Sequence, residues 1–155
     1  MHSLAQLLRN DKYQVFLFSS LATIPFCFVR HPWFVVNREG VLSRWEVFWE
    51  PSRSQKSWGH LHKDFYPPEQ GIEMFFFPSN YFWPGTLDMY IEGGRGSLAH
   101  KMADFIEASP EKYPRCYQYS LLGPNSVTYA EWALDAFPES GLHQRWNSFV
   151  RFLRK

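Results

Sequence analysis

An α+β fold, with an antiparallel sheet packed against helices, is what this sequence predicts. Short runs rich in aromatic and β-branched residues recur through the first half, and turn-forming clusters such as Asn37-Arg38-Glu39-Gly40 separate them. Stretches with apolar residues at helical spacing follow Ser97 and Ser126 in the second half. Strands joined by short turns pair antiparallel, and helices gathered after them cover a face of the sheet. With 155 residues, 45% of them hydrophobic, the chain has the length and apolar content of one ordinary domain with one sizeable core. Residues 1–155 are read as that single domain, with 1–12 as a peripheral N-terminal segment.

Leu4, Leu7 and Leu8 share one helical face near the start, and Tyr13 to Ser19 has the composition of a strand. The apolar run from Val15 to Val29 contains Ser19, Ser20, Thr23 and Pro25 and continues through Arg30 and His31 into further aromatic residues. Two strands around a turn fit it better than a membrane span. No integral membrane segment is expected, and a soluble, cytoplasmic protein is the default reading. Phe26 to Val36 reads as the second strand, with Cys27, Val29, His31, Trp33 and Val35 on one face and Pro32 at an edge or bulge. Val41 to Trp49 forms the third, in a hairpin with the second. A turn centred between Arg38 and Glu39 pairs Val36 with Val41 and puts His31 opposite Glu46; a one-residue slip would separate the two.

Residues 50–59 read as a surface loop and Ile72 to Phe77 as a short apolar strand. Tyr81, Phe82, Trp83 and Tyr90 then form an aromatic segment covering one side of the sheet. Gly93-Gly94-Arg95-Gly96 matches neither the phosphate-loop nor the dinucleotide-binding glycine pattern and reads as a turn. Ser97 caps a helix running to about Ala108, with Leu98, Met102, Phe105 and Ile106 as its buried stripe. Tyr113 to Leu122 has strand character, and a helix over about Val127 to Ala136 presents Val127, Ala130, Leu134 and Phe137 to the core. A final short helix uses Trp146, Phe149, Val150 and Leu153.

Sixteen Lys plus Arg against fifteen Asp plus Glu are mixed along the chain, so the basic footprint of a nucleic-acid partner is missing. Cys27 and Cys116 have no CxxC or metal-ligand spacing and read as buried thiols. His60, His62 and Asp64 lack a further clustered ligand, so no metal or other cofactor is expected.

The turn Gly123-Pro124-Asn125-Ser126 leaves two readings open. Asn125 and Ser126 make an ordinary helix start, with Thr128 and Glu131 at capping-box spacing. A nucleophile there would equally sit among unpaired backbone N–H groups at the positive end of a helix dipole. In the second reading Ser126 is the nucleophile, His31 the general base and Glu46 the group that orients it. Backbone N–H groups of Ser126 and Val127 stabilise an oxyanion, with Asn125 or Gln118 as side-chain donors. A binding module would instead use a groove lined by Trp33, Trp83 or Tyr129.

The strand His31-Pro32-Trp33-Phe34-Val35-Val36, followed by Gly123-Pro124-Asn125-Ser126-Val127-Thr128-Tyr129 at a later helix start, resembles a bacterial domain family with His-x-Trp and Gly-Pro-Asn-Ser signatures. That family is similar to circularly permuted papain-like proteins, which include NlpC/P60 peptidases and lecithin:retinol acyltransferase-like enzymes. The resemblance covers about residues 13–137. It implies a permuted papain-like fold in which an early-strand His, here His31, precedes a nucleophile opening a later helix, here Ser126, with Glu46 closest to the orienting position. It further implies an amide or ester hydrolase or acyltransferase acting on a peptide, lipid or other small acyl substrate. Ser126 stands where the group has Cys, so a catalytically inactive domain binding peptide, lipid or protein is the alternative.

Overall fold

A computed structural model describes residues 3–77 and 80–144. The strands are β1 (Tyr13–Leu21), β2 (Arg30–Arg38), β3 (Val41–Val47), β4 (Ser57–Trp58), β5 (Leu61–Lys63), β6 (Gln70–Glu73), β7 (Phe82–Pro84) and β8 (Thr86–Gly93). The helices are α1 (Leu4–Leu7), α2 (Leu98–Glu107), α3 (Ser109–Lys112) and α4 (Ser126–Asp135), followed by a 3-10 turn at Pro138–Ser140. Six strands form one antiparallel sheet in the order β4-β5-β3-β2-β1-β8, while β6 and β7 pair separately. The expected helix over 146–153 lies outside the described residues.

Both faces of the sheet are covered, which is why β1 and β2 are apolar almost throughout. Val15, Leu17, Phe34, Val36, Trp45 and Val47 pack beneath α2 and α4, whose Met102, Ala103, Ile106, Tyr129 and Ala130 complete the main core. On the opposite face Phe16, Phe18, Trp33 and Val35 are covered by buried Leu4, with Leu7 and Leu8 beside it. Ser97 caps α2 as expected, its Oγ accepting from His100 N at 3.2 Å.

The β2–β3 hairpin forms with a different register. Arg38 pairs with Val41 and Val36 with Ser43, rather than Val36 with Val41. The loop is only Glu39-Gly40, both at positive φ (52° and 98°), the geometry that lets a two-residue turn follow the twist of its strands. The slip is two residues, and an even slip keeps every side chain on its face. Pro32 lies on a central strand, yet the β2–β3 ladder stops at Phe34, so at Pro32 β2 is paired on the β1 side alone. The missing N–H is tolerated there as at an edge.

Other expectations need correction. The segment 26–29 is a turn closed by Val29 N donating to Phe26 O at 3.0 Å, so the second strand begins at Arg30. Tyr113 to Leu122 is not a strand. It wraps past the sheet in turns, with Gln118 N donating to Arg115 O and Gly123 N to Ser120 O. Cys27 and Cys116 therefore sit on turns; Cys116 is buried and Cys27 half-buried. The apolar stretch from Ile72 is a strand only to Glu73. β8 was not expected. It borders β1 with a bulge where Phe18 pairs with Leu87 but Leu17 with Met89, and Asp88 between them accepts from Ser19 Oγ at 2.6 Å. No helix among the described residues is long and apolar enough to cross a membrane.

Candidate active site

His31 opens β2, and Arg44 and Glu46 point to the same side of β3 two residues apart. One step beyond the pair Phe34↔Trp45, Glu46 stands across from Trp33, and its carboxylate reaches diagonally to His31. His31 Nε2 lies 2.7 Å from Glu46 Oε2, and all three polar side chains are buried. Arg44 contacts both carboxylate oxygens, with NH2 donating to Oε2 at 2.9 Å and Nε 2.7 Å from Oε1. Its remaining donors reach Pro67 O, at 2.7 Å, and Gln70 O. The guanidinium also stacks over Trp33, 4.2 Å from the ring centroid.

This network sets the protonation of the site. Burial by itself pushes the Glu46 carboxyl up, but the Arg44 guanidinium and the hydrogen bond from His31 outweigh it and hold the group at about 2. Glu46 is therefore ionised at neutral pH and can only accept. His31 donates from Nε2, and in the neutral ring Nδ1 then carries the lone pair; that nitrogen has no hydrogen-bond partner among the described residues.

At the start of α4 the capping work is done by Asn125. Its Oδ1 accepts from Val127 N at 3.1 Å and Thr128 N at 3.3 Å, and its Nδ2 donates to Ser120 O and Leu121 O. Thr128 Oγ1 accepts from Asn125 N at 2.7 Å, closing a capping box between Asn125 and Thr128 rather than between Thr128 and Glu131. Ser126 is consequently the first helical residue. Its hydroxyl takes no part in the cap, and neither Oγ nor the backbone N–H has a hydrogen-bond partner among the described residues. Asn125→Ala is expected to cost about 1–2 kcal/mol, seen as a lower urea midpoint with an unchanged slope.

Ser126 and His31 line the same cavity of about 90 Å³, together with Phe48, Ile72, Phe76 and Leu121. This volume is several times what a water molecule needs. No hydrogen bond joins Ser126 to His31 among the described residues; the cavity is what they share. The other expected contributors stand elsewhere or are otherwise used. The Asn125 side chain is spent on the cap, as is the Val127 N–H. Gln118 is exposed on its turn. Trp33 and Tyr129 are fully buried core residues, the first donating from Nε1 to Pro68 O and the second meeting Ser109 Oγ through its hydroxyl at 2.8 Å. Trp83 is half-buried and donates to Ala22 O.

A serine–histidine hydrogen bond that the sequence reading did not anticipate lies elsewhere, between Ser57 and His62. Ser57 and His62 are cross-strand partners in the β4–β5 hairpin, with Ser57 Oγ 2.7 Å from His62 Nδ1. His62 Nε2 is 2.8 Å from Glu50 O, a carbonyl that can only accept, so Nε2 carries the proton and Nδ1 receives the Ser57 hydroxyl. That is the arrangement of a hydrolase dyad, with burial lowering the pKa of His62. The signal was available in the turn Gly59-His60, which sets Ser57 against His62. Both His62 nitrogens are thereby engaged, His60 Nδ1 lies 3.0 Å from Phe48 O, and the Asp64 carboxylate accepts from Arg44 N and Lys56 Nζ, each at 2.9 Å.

Comparison with curated proteins and with solved structures finds no match. Across residues 12–149, which include both β2 and α4, the chain matches the family described as Protein of unknown function (DUF3750), and it belongs to that family.

Proposed function

We propose that the chain is an amide or ester hydrolase or acyltransferase with Ser126 as nucleophile, His31 as general base and Glu46 as its orienting carboxylate. The observation that carries this reading is the buried His31–Glu46 hydrogen bond of 2.7 Å beside a cavity that Ser126 also lines. Ser126 Oγ attacks the substrate carbonyl carbon as its proton passes to His31 Nδ1. His31 then gives that proton to the departing amine or alcohol, leaving an acyl ester on Ser126. Water, or an acceptor alcohol or amine, is deprotonated by the same nitrogen and attacks the acyl ester; the bond to Ser126 Oγ breaks as His31 returns the proton to that oxygen, which releases the acyl group. The Ser126 N–H, which the cap leaves unused, is the backbone donor available to the oxyanion.

The permuted papain-like relationship belongs to the same proposal. Its support is the order of parts: a His on an early strand, a nucleophile position opening a later helix, and an antiparallel sheet between them. A second reading rests on the Ser57–His62 hydrogen bond and places the dyad in the β4–β5 hairpin instead. A binding domain that keeps the cavity without chemistry is the third.

A fluorophosphonate probe separates them. Labelling of the parent is expected to vanish in Ser126→Ala and to fall about 10²–10⁴-fold in His31→Ala, as loss of a general base does, while Ser57→Ala labels normally. Loss in Ser57→Ala alone would transfer the chemistry to His62. A folded parent that does not label, while still binding acyl compounds at the cavity, would leave the binding domain.

A further inference from the structure

We infer that the Tyr119 hydroxyl is the side-chain donor of the oxyanion site, joining the Ser126 N–H in receiving the negative oxygen when Ser126 attacks an acyl group; the role rests on Ser126 as the nucleophile. Tyr119 lines the cavity together with Ser126 and His31. Its hydroxyl has no hydrogen-bond partner among the described residues, in contrast to that of Tyr129, which meets Ser109. Burial pushes the phenol up to about 12. At neutral pH the group is therefore protonated and able to donate.

An oxyanion formed against Phe48, Ile72 and Phe76 is cut off from much of its water, and a single N–H leaves it under-satisfied. Several polar groups on the same wall are turned elsewhere. Asn125 caps α4, Arg30 directs Nε and Nη2 to Ser19 Oγ and O at 2.9 and 3.3 Å, and Thr23 Oγ1 donates to Glu73 O at 3.0 Å. Trp49 brings an indole N–H from beyond the end of β3, where its ring packs against Phe48 and Phe76. Tyr119 instead stands on the turn that enters α4. Ser120 N donates to Pro124 O at 2.8 Å, and Asn125 Nδ2 reaches back to Leu121 O at 3.1 Å. On the other side the Tyr119 ring lies 5.3 Å from that of His60, whose N–H donates to Cys116 O at 2.7 Å. The phenol is thus carried by a segment tied down before and after it, the preorganisation that makes an oxyanion donor effective. No proton leaves Tyr119. As Ser126 Oγ bonds to the carbonyl carbon, the C=O π pair moves onto oxygen and accepts the phenol hydrogen bond; it returns when the tetrahedral intermediate collapses and the leaving group departs with the proton from His31.

Fluorophosphonate labelling of Ser126, resolved into a saturating rate and a half-saturation concentration, tests this, because the phosphoryl oxygen takes the place of the oxyanion. Tyr119→Phe keeps the ring and is expected to lower the saturating rate about 10²–10³-fold, as loss of one oxyanion donor does. The half-saturation concentration, the pH midpoint of labelling and the urea midpoint should stay where they are in the parent. Gln118→Ala and Trp49→Phe should label at the parent rate. The ³¹P resonance of the Ser126 adduct, which senses hydrogen bonds to the phosphoryl oxygen, should move in Tyr119→Phe and stay in place in Gln118→Ala. Labelling of Tyr119→Phe at the parent rate, or an unmoved resonance, overturns the Tyr119 role while leaving Ser126 as nucleophile. A rate loss in Trp49→Phe without one in Tyr119→Phe overturns it in favour of the indole, and a changed half-saturation concentration at an unchanged saturating rate reduces Tyr119 to a wall of the cavity. A parent that does not label at Ser126 overturns the nucleophile and the donor together.

Discussion

Glu46→Ala is expected to destabilise the chain by about 3–5 kcal/mol, because it strands Arg44 in the interior without its counter-charge. The guanidinium is 1% exposed and keeps only two carbonyl partners once the carboxylate is gone. Replacing both residues, as in Arg44→Met/Glu46→Leu, should cost less than Glu46→Ala, since no buried charge is then left unpaired. The same network predicts an acid limb. Glu46 titrates at about 2 when folded, against 4.5 ordinarily, so its stabilisation is complete above about pH 4.5 and is lost as pH falls toward 2. At 1.36 kcal/mol per unit this amounts to about 3 kcal/mol. Urea unfolding of the parent and of Glu46→Gln between pH 7 and the acid range measures it: the parent should lose stability steeply below pH 4.5, and Glu46→Gln, already weaker at pH 7, should lose about 3 kcal/mol less. Equal acid slopes would show that Glu46 is not the titrating group.

The His31–Glu46 contact was legible in the sequence for a reason that tolerated an error. Alternation fixed the faces of β2 and β3, and the true register differs by two residues, which preserves them. The diagonal contact survived where a one-residue error would have destroyed it. Arg44 was not anticipated because an arginine on a strand ordinarily faces water; only the pairing of β3 with β5 and the segment from Pro67 to the start of β6 at Gln70 enclose it.

Local pattern failed where tertiary contacts decide. Leu87, Met89 and Ile91 alternate, but Pro84, Gly85 and Asp88 disguised β8, whose bulge switches Leu87 to the opposite face from Met89 and Ile91. Conversely, Tyr113 to Leu122 alternates like a strand but has no strand beside it to pair with, and its carbonyl at Cys116 accepts instead from His60 N. The turn at Gly123 to Ser126 allowed a capping serine or a reactive one. Asn125 and Thr128 satisfy the cap between them, a division of labour that spacing alone does not reveal.

That free hydroxyl supplies the sharpest chemical test, because the substrate need not be known. In a Cys27→Ser background, Ser126→Cys places a thiol at the first residue of α4, on a cavity shared with a histidine whose Nδ1 is free to take its proton. Helix N-termini and imidazolium partners lower thiol pKa values from about 8.5 into the range of roughly 3.5–7.5. At neutral pH such a thiol is largely thiolate, whereas an ordinary one is so only to a few per cent. Iodoacetamide should therefore alkylate residue 126 about tenfold faster at pH 7 than an unperturbed thiol, with a rate profile already level by pH 7. Adding His31→Ala should return the profile to one rising through about pH 8.5, and adding Glu46→Gln should shift it partway by releasing the ring from its fixed tautomer. Cys116, buried and with its thiol pKa pushed up by burial, serves as the slow internal reference. A rate that ignores His31→Ala would mean that the two side chains share a cavity without sharing a proton. In that case the serine would be no nucleophile, and the cavity would bind rather than react.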